Sequence, residues 1–340
     1  MTRVSELVGH TPLFELCSTT SGSRLLLKLE QFNPTGSAKV RMAEQMLVNA
    51  ERSGQLRPGG HVIEPTSGNT GLGLALIAAE RGYRLTTVVD HHASKDKLAA
   101  MAAMGAELHY VDDGDGEGGP RTLERKRRAT ELADSEDGAY RPDQHNNAGN
   151  VEGYRGLARE LLSDLFGDVD YLISSVGTGG SLCGTTSELR RLGSRVRTVG
   201  VEPLGSAIFD GPTGKYWQTG GGNPAGFPLG SNVDYSLIDE GVQAGDVEAF
   251  ATARAVARRT GLMIGGTAGG AVSVALQRLA ALGPGSTVVT LVCDAGEKYL
   301  DTIYNDEWMR ERDLLDPAAE QRVHRMIEAH EAAQTPSTAA

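Results

Sequence analysis

From His61 onward the chain alternates short β-rich runs with longer amphipathic ones, and that alternation narrows the possible folds more than any other feature. HVIEPT passes through a Gly-rich turn into GLGLALIAAERG. YRLTTVVD, SKDKLAAMAAMG and AELHYVD follow. Strand, helix and strand in succession predict βαβ units on a parallel sheet. After residue 150 the pattern resumes with EGYRGLARELLSDL, DYLISSV, the turn GTGGS, SLCGTTSELRRLG, VRTVGVEP and, near residue 290, STVVTLVCD. Two α/β sheets are expected.

A length of 340 residues is enough for two packed lobes. The formal net charge of −11 argues against nucleic acid and anionic membrane surfaces as partners, since both attract a positive field. Small-molecule substrates are the expectation. No stretch of about 18 apolar residues occurs, and MTRVSELVGH lacks the layout of a secretory signal, so a cytoplasmic protein is expected. Cys17, Cys183 and Cys293 are far apart and show no CxxC spacing. They predict buried free thiols, with no disulfide framework and no metal site.

Two polar stretches interrupt the alternation. DDGDGEGGPRTLERKRRATELADSEDG reads as a surface loop leading into a charged helix, with RKRR on a solvated face. GPTGKYWQTGGGNPAGFPLGSN is long for an inert connection and suits a lid or binding loop. After about Asp316 a short charged helix and a frayed end are expected.

Four segments carry candidate chemistry. Asn33-Pro34-Thr35-Gly36-Ser37-Ala38-Lys39 leads into a helical pattern, which places Lys39 near the positive end of a helix dipole. That setting suits an amine that must form a Schiff base, although taken alone the segment reads more readily as carrying a surface lysine. Pro65-Thr66-Ser67-Gly68-Asn69-Thr70-Gly71 lies between strand and helix, where free backbone N–H groups and hydroxyls can receive a carboxylate or phosphate. Gly177-Thr178-Gly179-Gly180-Ser181 occupies the same kind of turn but fails the dinucleotide spacing, so a compact monophosphate cradle fits better, with a plain tight turn as the alternative. Gly265-Gly266-Thr267-Ala268-Gly269-Gly270 opens an apolar helix, and its glycines can serve a flat ring or close helix packing.

Taken in order with GHTPL at Gly9, LKLE ending at Glu30, the Gln144 region, VGVEP and Asp294-Ala295-Gly296-Glu297-Lys298-Tyr299, these segments resemble the cysteine synthase and cystathionine β-synthase family across roughly residues 5–309. The resemblance implies a two-lobed fold-type II pyridoxal-phosphate enzyme of the tryptophan synthase β kind, each lobe a twisted, mostly parallel sheet flanked by helices. It implies a smaller lobe at 40–150, a larger one from 1–39 and 151–315, a tail at 316–340, and a homodimer. Pyridoxal 5′-phosphate is the expected cofactor. Lys39 matches the Schiff-base lysine that moves the α-proton, and Asn69 matches the partner of the ring hydroxyl. Thr66, Ser67, Gly68, Asn69 and Thr70, with Gln144, match the carboxylate loop. Gly177, Thr178, Gly179, Gly180 and Ser181 match the phosphate cup.

The implied activity is β-replacement on O-acetylserine, O-phosphoserine or serine through an aminoacrylate, with sulfide, a thiol or an amine as nucleophile. Net elimination, a 2,3-diaminopropionate-precursor synthase suggested by GSAIF at 205–209, and a silent partner-binding homologue are the alternatives. Three positions depart from the pattern. Ala295 stands where relatives usually set a serine or threonine against the pyridine nitrogen, and Thr267 is a neighbour that can substitute. Val40 replaces a common aspartate. TGGGNPAGFPLG replaces a shorter glycine loop, with Gly221 and Gly222 placed beside the cofactor.

Overall fold

The computed structural model describes residues 2–91, 93–111 and 122–332. Much of the expected Gly/Asp-rich loop, at 112–121, and the end of the expected frayed tail, at 333–340, lie outside the described residues.

An antiparallel pair opens the chain, β1 (Leu13–Ser18) and β2 (Arg24–Lys28). α1 (Lys39–Ser53) follows and stops at Gly54, whose φ of 75° is the left-handed conformation that terminates helices. β3 (His61–Glu64), α2 (Asn69–Arg81), β4 (Arg84–Val89), α3 (Lys95–Ala103) and β5 (Glu107–Tyr110) then build a parallel three-stranded sheet in the order β3-β4-β5. α4 (Thr122–Asp134) packs against β3 and β4.

α5 (Ala148–Glu152) and α6 (Arg155–Asp164) lead into β6 (Tyr171–Ser175), α7 (Gly180–Arg191) and β7 (Arg197–Pro203). A long irregular stretch connects to β8 (Glu240–Ala244), α8 (Asp246–Thr260), α9 (Gly266–Leu279), β9 (Thr287–Leu291), α10 (Asp306–Arg310) and α11 (Pro317–Ala332). The larger sheet runs β1-β2-β9-β6-β7-β8, and every neighbouring pair except β1 and β2 is parallel. The fold is therefore α/β with two mostly parallel sheets flanked by helices.

Crossover helices explain the apolar strands. β9 reads TVVTL and is buried at every position, because a parallel strand covered on both faces has no solvated side. α9 is buried nearly all round and lies against α8. A Cβ at Gly269 would fall 2.1 Å from the Ala249 carbonyl oxygen, and one at Gly266 would fall 2.7 Å from the Phe250 ring. The glycines that open α9 thus serve close helix packing. In parallel sheets, ligands gather beyond the carboxyl ends of the strands. Here the ends of β3, β6 and β9 carry the segments 65–71, 177–181 and 293–299.

Candidate active site

Lys39 is the first residue of α1, and the backbone before it is pinned to the segment that follows β9. The Ala38 N–H donates to the Cys293 carbonyl at 2.9 Å, Ser37 bridges Asp294, and the Ala295 N–H donates to the Gly36 carbonyl at 3.2 Å. Gly36 has φ 63°, and a Cβ there would lie 3.3 Å from Lys298 Cε. The turn into Lys39 is thus shaped by a strand end more than 250 residues away in sequence.

Asn69, the first residue of α2, is tied to the same segment. Its amide NH₂ donates to Asp294 Oδ2 at 2.8 Å, and its Oδ1 accepts from Lys298 Nζ at 2.7 Å. Lys298 also donates to the Thr35 carbonyl at 2.7 Å, and the Tyr299 hydroxyl donates to Asp294 Oδ2 at 2.6 Å. An amide nitrogen has two protons, so Asn69 retains a second donor. Burial, only partly offset by Asp294 and reinforced by the charges of Lys97 and Lys39, pulls the Lys298 ammonium down to about 8.

The rest of the 65–71 loop is braced by side chains from distant elements. Thr66 Oγ1 accepts the Gly71 N–H at 3.2 Å, and the Thr70 hydroxyl donates to Gln144 Oε1 at 2.7 Å. Arg125 donates to Ser67 Oγ at 2.9 Å and pairs with Asp90 at 3.1 Å. This corrects the solvated reading of RKRR. Arg127 and Arg128 face water with Glu124 and Glu131, whereas Arg125 turns inward because β4 ends in a buried aspartate. Glu64, buried at the end of β3, accepts the N–H groups of Asp143 at 2.9 Å and Gln144 at 3.2 Å. Burial raises its carboxyl to about 7 against those bonds.

The turn 177–181 is built from main chain. Gly179 has φ 87°, and a Cβ there would fall 2.4 Å from the Asn232 carbonyl oxygen. One at Gly180 would fall 1.9 Å from Asn150 Oδ1, and one at Gly177 3.0 Å from the Gly220 carbonyl oxygen. α7 starts at Gly180, so the early N–H groups of Gly180 and Ser181 have no intrahelical partner. Asn150 Nδ2 donates both to the Gln144 carbonyl at 2.7 Å and to Thr178 Oγ1 at 3.0 Å, which joins this turn to the 65–71 loop. The long loop packs alongside. The Gly222 N–H donates to the Val176 carbonyl at 2.7 Å, and a Cβ at Gly221 would meet Thr267 Cγ2 at 2.9 Å.

The backbone before Lys39 and the residues Asn69, Thr70, Gln144, Thr178 and Ala295 are thus joined in one hydrogen-bonded network that runs from the start of α1 through the 65–71 loop to the 177–181 turn. The residues fit a phosphorylated cofactor held on Lys39. The cup excludes side chains and offers helix N-terminal N–H groups to a phosphate. Thr35 Oγ1 and Ser37 Oγ in the turn before Lys39, and Asn150 Oδ1 beside the cup, are buried without a hydrogen-bond partner among the described residues, which a polar ligand spanning them would satisfy. Sequence reasoning missed Glu64, Arg125, Asn150, Asn232 and Asp294 as braces. Only the glutamate, standing directly before Pro65-Thr66-Ser67, carried a local hint.

Comparison with known proteins places this geometry in context. Residues 4–294 match the family described as pyridoxal-phosphate dependent enzyme. A cysteine synthase homologue of Sinorhizobium fredii is 47% identical over 317 residues, covering 93% of this chain and 94% of its own. Cysteine synthase B of Escherichia coli is 37% identical, over 90% and 97% of the two chains. Among solved structures, the O-acetylserine dependent cystathionine beta-synthase of Helicobacter pylori superposes with a TM-score of 0.80 at 30% identity, over 90% of this chain and 99% of that one.

Proposed function

The chain belongs to the pyridoxal-phosphate dependent enzymes of the cysteine synthase and cystathionine β-synthase family, and from that membership we infer how its residues divide the work of β-replacement on an O-activated serine. The cofactor, when held on Lys39, supplies a ring that takes up the electrons released as the α-proton leaves. Lys39 Nζ removes that proton and later returns it to the α-carbon. Gly177, Thr178, Gly179, Gly180 and Ser181 would hold the phosphate. Thr66, Ser67, Gly68, Asn69 and Thr70, with Gln144, would take up the substrate carboxylate, and the free donor of Asn69 would serve the ring hydroxyl. Gly221 and Gly222 would wall the site. Ala295 would offer the pyridine nitrogen no side-chain donor.

The observation that carries this reading is the chain of bonds from Thr70 through Gln144 and Asn150 to Thr178, which ties the carboxylate loop to the cup around Lys39. A carboxylate and a phosphate are thereby held at fixed separation, which is what orientation of a small amino acid against its cofactor requires. O-acetylserine is the donor we propose, following the name of the Helicobacter pylori relative. A visible scan of the purified protein tests this. A band near ~410 nm that moves on adding O-acetylserine, and not serine or O-phosphoserine, is the expected result. No band after supplying pyridoxal phosphate, with Lys39→Ala indistinguishable from wild type, would overturn it.

We propose a homodimer as the assembly, to be checked by sedimentation. The three cysteines are free and buried, in keeping with a reducing compartment such as the cytoplasm. Among the described residues no helix is long and apolar enough to cross a membrane.

A further inference from the structure

His145 follows Gln144 in the chain and lies between the segment that braces the carboxylate loop and the long loop before β8. Its ring meets Phe227 of that loop with centroids 5.7 Å apart and the planes tilted by 57°. A Cβ at Gly230 would fall 2.3 Å from the His145 carbonyl oxygen, and the Asn232 N–H donates to the same oxygen at 3.3 Å. The backbone of His145 is therefore clamped, while neither ring nitrogen has a hydrogen-bond partner among the described residues. The charged groups whose fields reach the ring are Asp143 on its own segment, Lys126 of α4, whose ammonium sits 5.7 Å over the same Phe227 ring, and Lys39. Burial holds the imidazole pKa below its ordinary value. Asp143 opposes this and the two lysines add to it.

Burial and the two lysines thus favour the neutral imidazole, and among the described residues nothing occupies its lone pair. Replacement at the β-carbon needs such a group when the nucleophile arrives as H–Nu. The C–O bond of the donor breaks and the leaving group departs with the electron pair. The Nu–C bond then forms as the Nu–H bond breaks. Lys39 returns the α-proton it took, so the Nu–H proton needs another acceptor. Asp143, the nearby carboxylate, is already engaged by Asn146 and Arg141. We propose that His145 accepts the proton of the incoming nucleophile and passes it to solvent, so that this site takes a protonated thiol or amine as well as hydrosulfide. The proposal rests on the β-replacement reading.

The experiment is rapid mixing of the holoenzyme and of His145→Asn, first with O-acetylserine and then with either 2-mercaptoethanol or hydrosulfide, across pH. The donor-dependent band shift is expected in both proteins. Its decay with 2-mercaptoethanol should slow about 100-fold in the variant near pH 7 and then climb with the thiolate fraction. Decay with hydrosulfide, largely ionised already, should change less than about 3-fold. Equal slowing with both nucleophiles would show that His145 only shapes the cleft, and no slowing with either would show that it is idle. Either result overturns the proposal. A missing band shift in the wild-type protein would instead overturn the β-replacement reading itself.

Discussion

The 65–71 loop and the 177–181 turn are both strand-to-helix turns joined through Gln144 and Asn150, yet they are made in opposite ways. The cup is mostly main chain, and Gly179 lies so close to the Asn232 backbone, and Gly180 to the Asn150 side chain, that neither leaves room for a methyl group. The 65–71 loop presents hydroxyls and an amide, and a Cβ at its Gly68 would meet nothing within 4 Å, although one at Gly71, already inside α2, would fall 2.3 Å from Met101 Sδ. On the reading proposed above, a phosphate that never changes is held by a rigid surface of N–H groups. On the same reading, a substrate that enters and leaves is held by hydroxyls and an amide, whose positions are set by braces from elsewhere: Gln144, Arg125 and Glu64.

That contrast predicts a graded set of losses. Gly179→Ala forces a side chain into left-handed backbone against the Asn232 carbonyl oxygen, and should cost about 4 kcal/mol along with most of the cofactor affinity. Thermal unfolding and titration of the apoprotein with pyridoxal phosphate would measure both. A variant that binds cofactor normally would break the rigid-cup side of the comparison.

Glu64 offers the next largest effect, through pH. Its carboxyl rises from an ordinary 4.5 to about 7. The folded protein therefore keeps a proton that the unfolded chain has released between those values. The associated stability is fully present below the lower value and is lost as pH rises through the upper one, by about 3 kcal/mol in all. Glu64→Gln should flatten that slope in urea midpoints taken at about pH 5 and 8, and raise KM for the donor by loosening Gln144. An unchanged slope would mean that the carboxyl is ionised throughout.

Arg125→Ala removes a charged donor from Ser67 and should raise KM about 5- to 10-fold while leaving kcat within about 2-fold. A matching fall in kcat would show that the brace acts on the chemistry and not on substrate uptake. Gly68→Ala should be the mildest, within about 0.5 kcal/mol in stability. A large loss there would make the two turns more alike than their surroundings indicate.

The strand-to-helix turn at 177–181 was readable from local text because glycines directly after an apolar strand mark a turn, whereas the Asn232 and Asn150 contacts that require those glycines were not. Lys39 was readable for a similar reason, as a lysine placed at a predicted helix start. The braces were not. Asp90 and Arg125, Asp294 and Asn69, and Asn150 and Thr178 are each separated by tens to hundreds of residues, and nothing near any of them announces its partner. RKRR misled for the same reason. A run of cations looks solvated until β4 presents a buried Asp90 to one of its members. The glycines of α9 were ambiguous in the text, and only the position of α8 decided that they serve helix packing.

The sequence by itself determined the alternation of strands and helices, the phosphate-shaped turn, the lysine at a helix start and the family to which they belong, because periodicity and glycine spacing act over a few residues. Tertiary structure alone decided which side chains hold those pieces in register. A buried carboxylate or guanidinium takes the partner that three-dimensional packing brings within about 3 Å, since leaving such a group unpaired costs several kcal/mol.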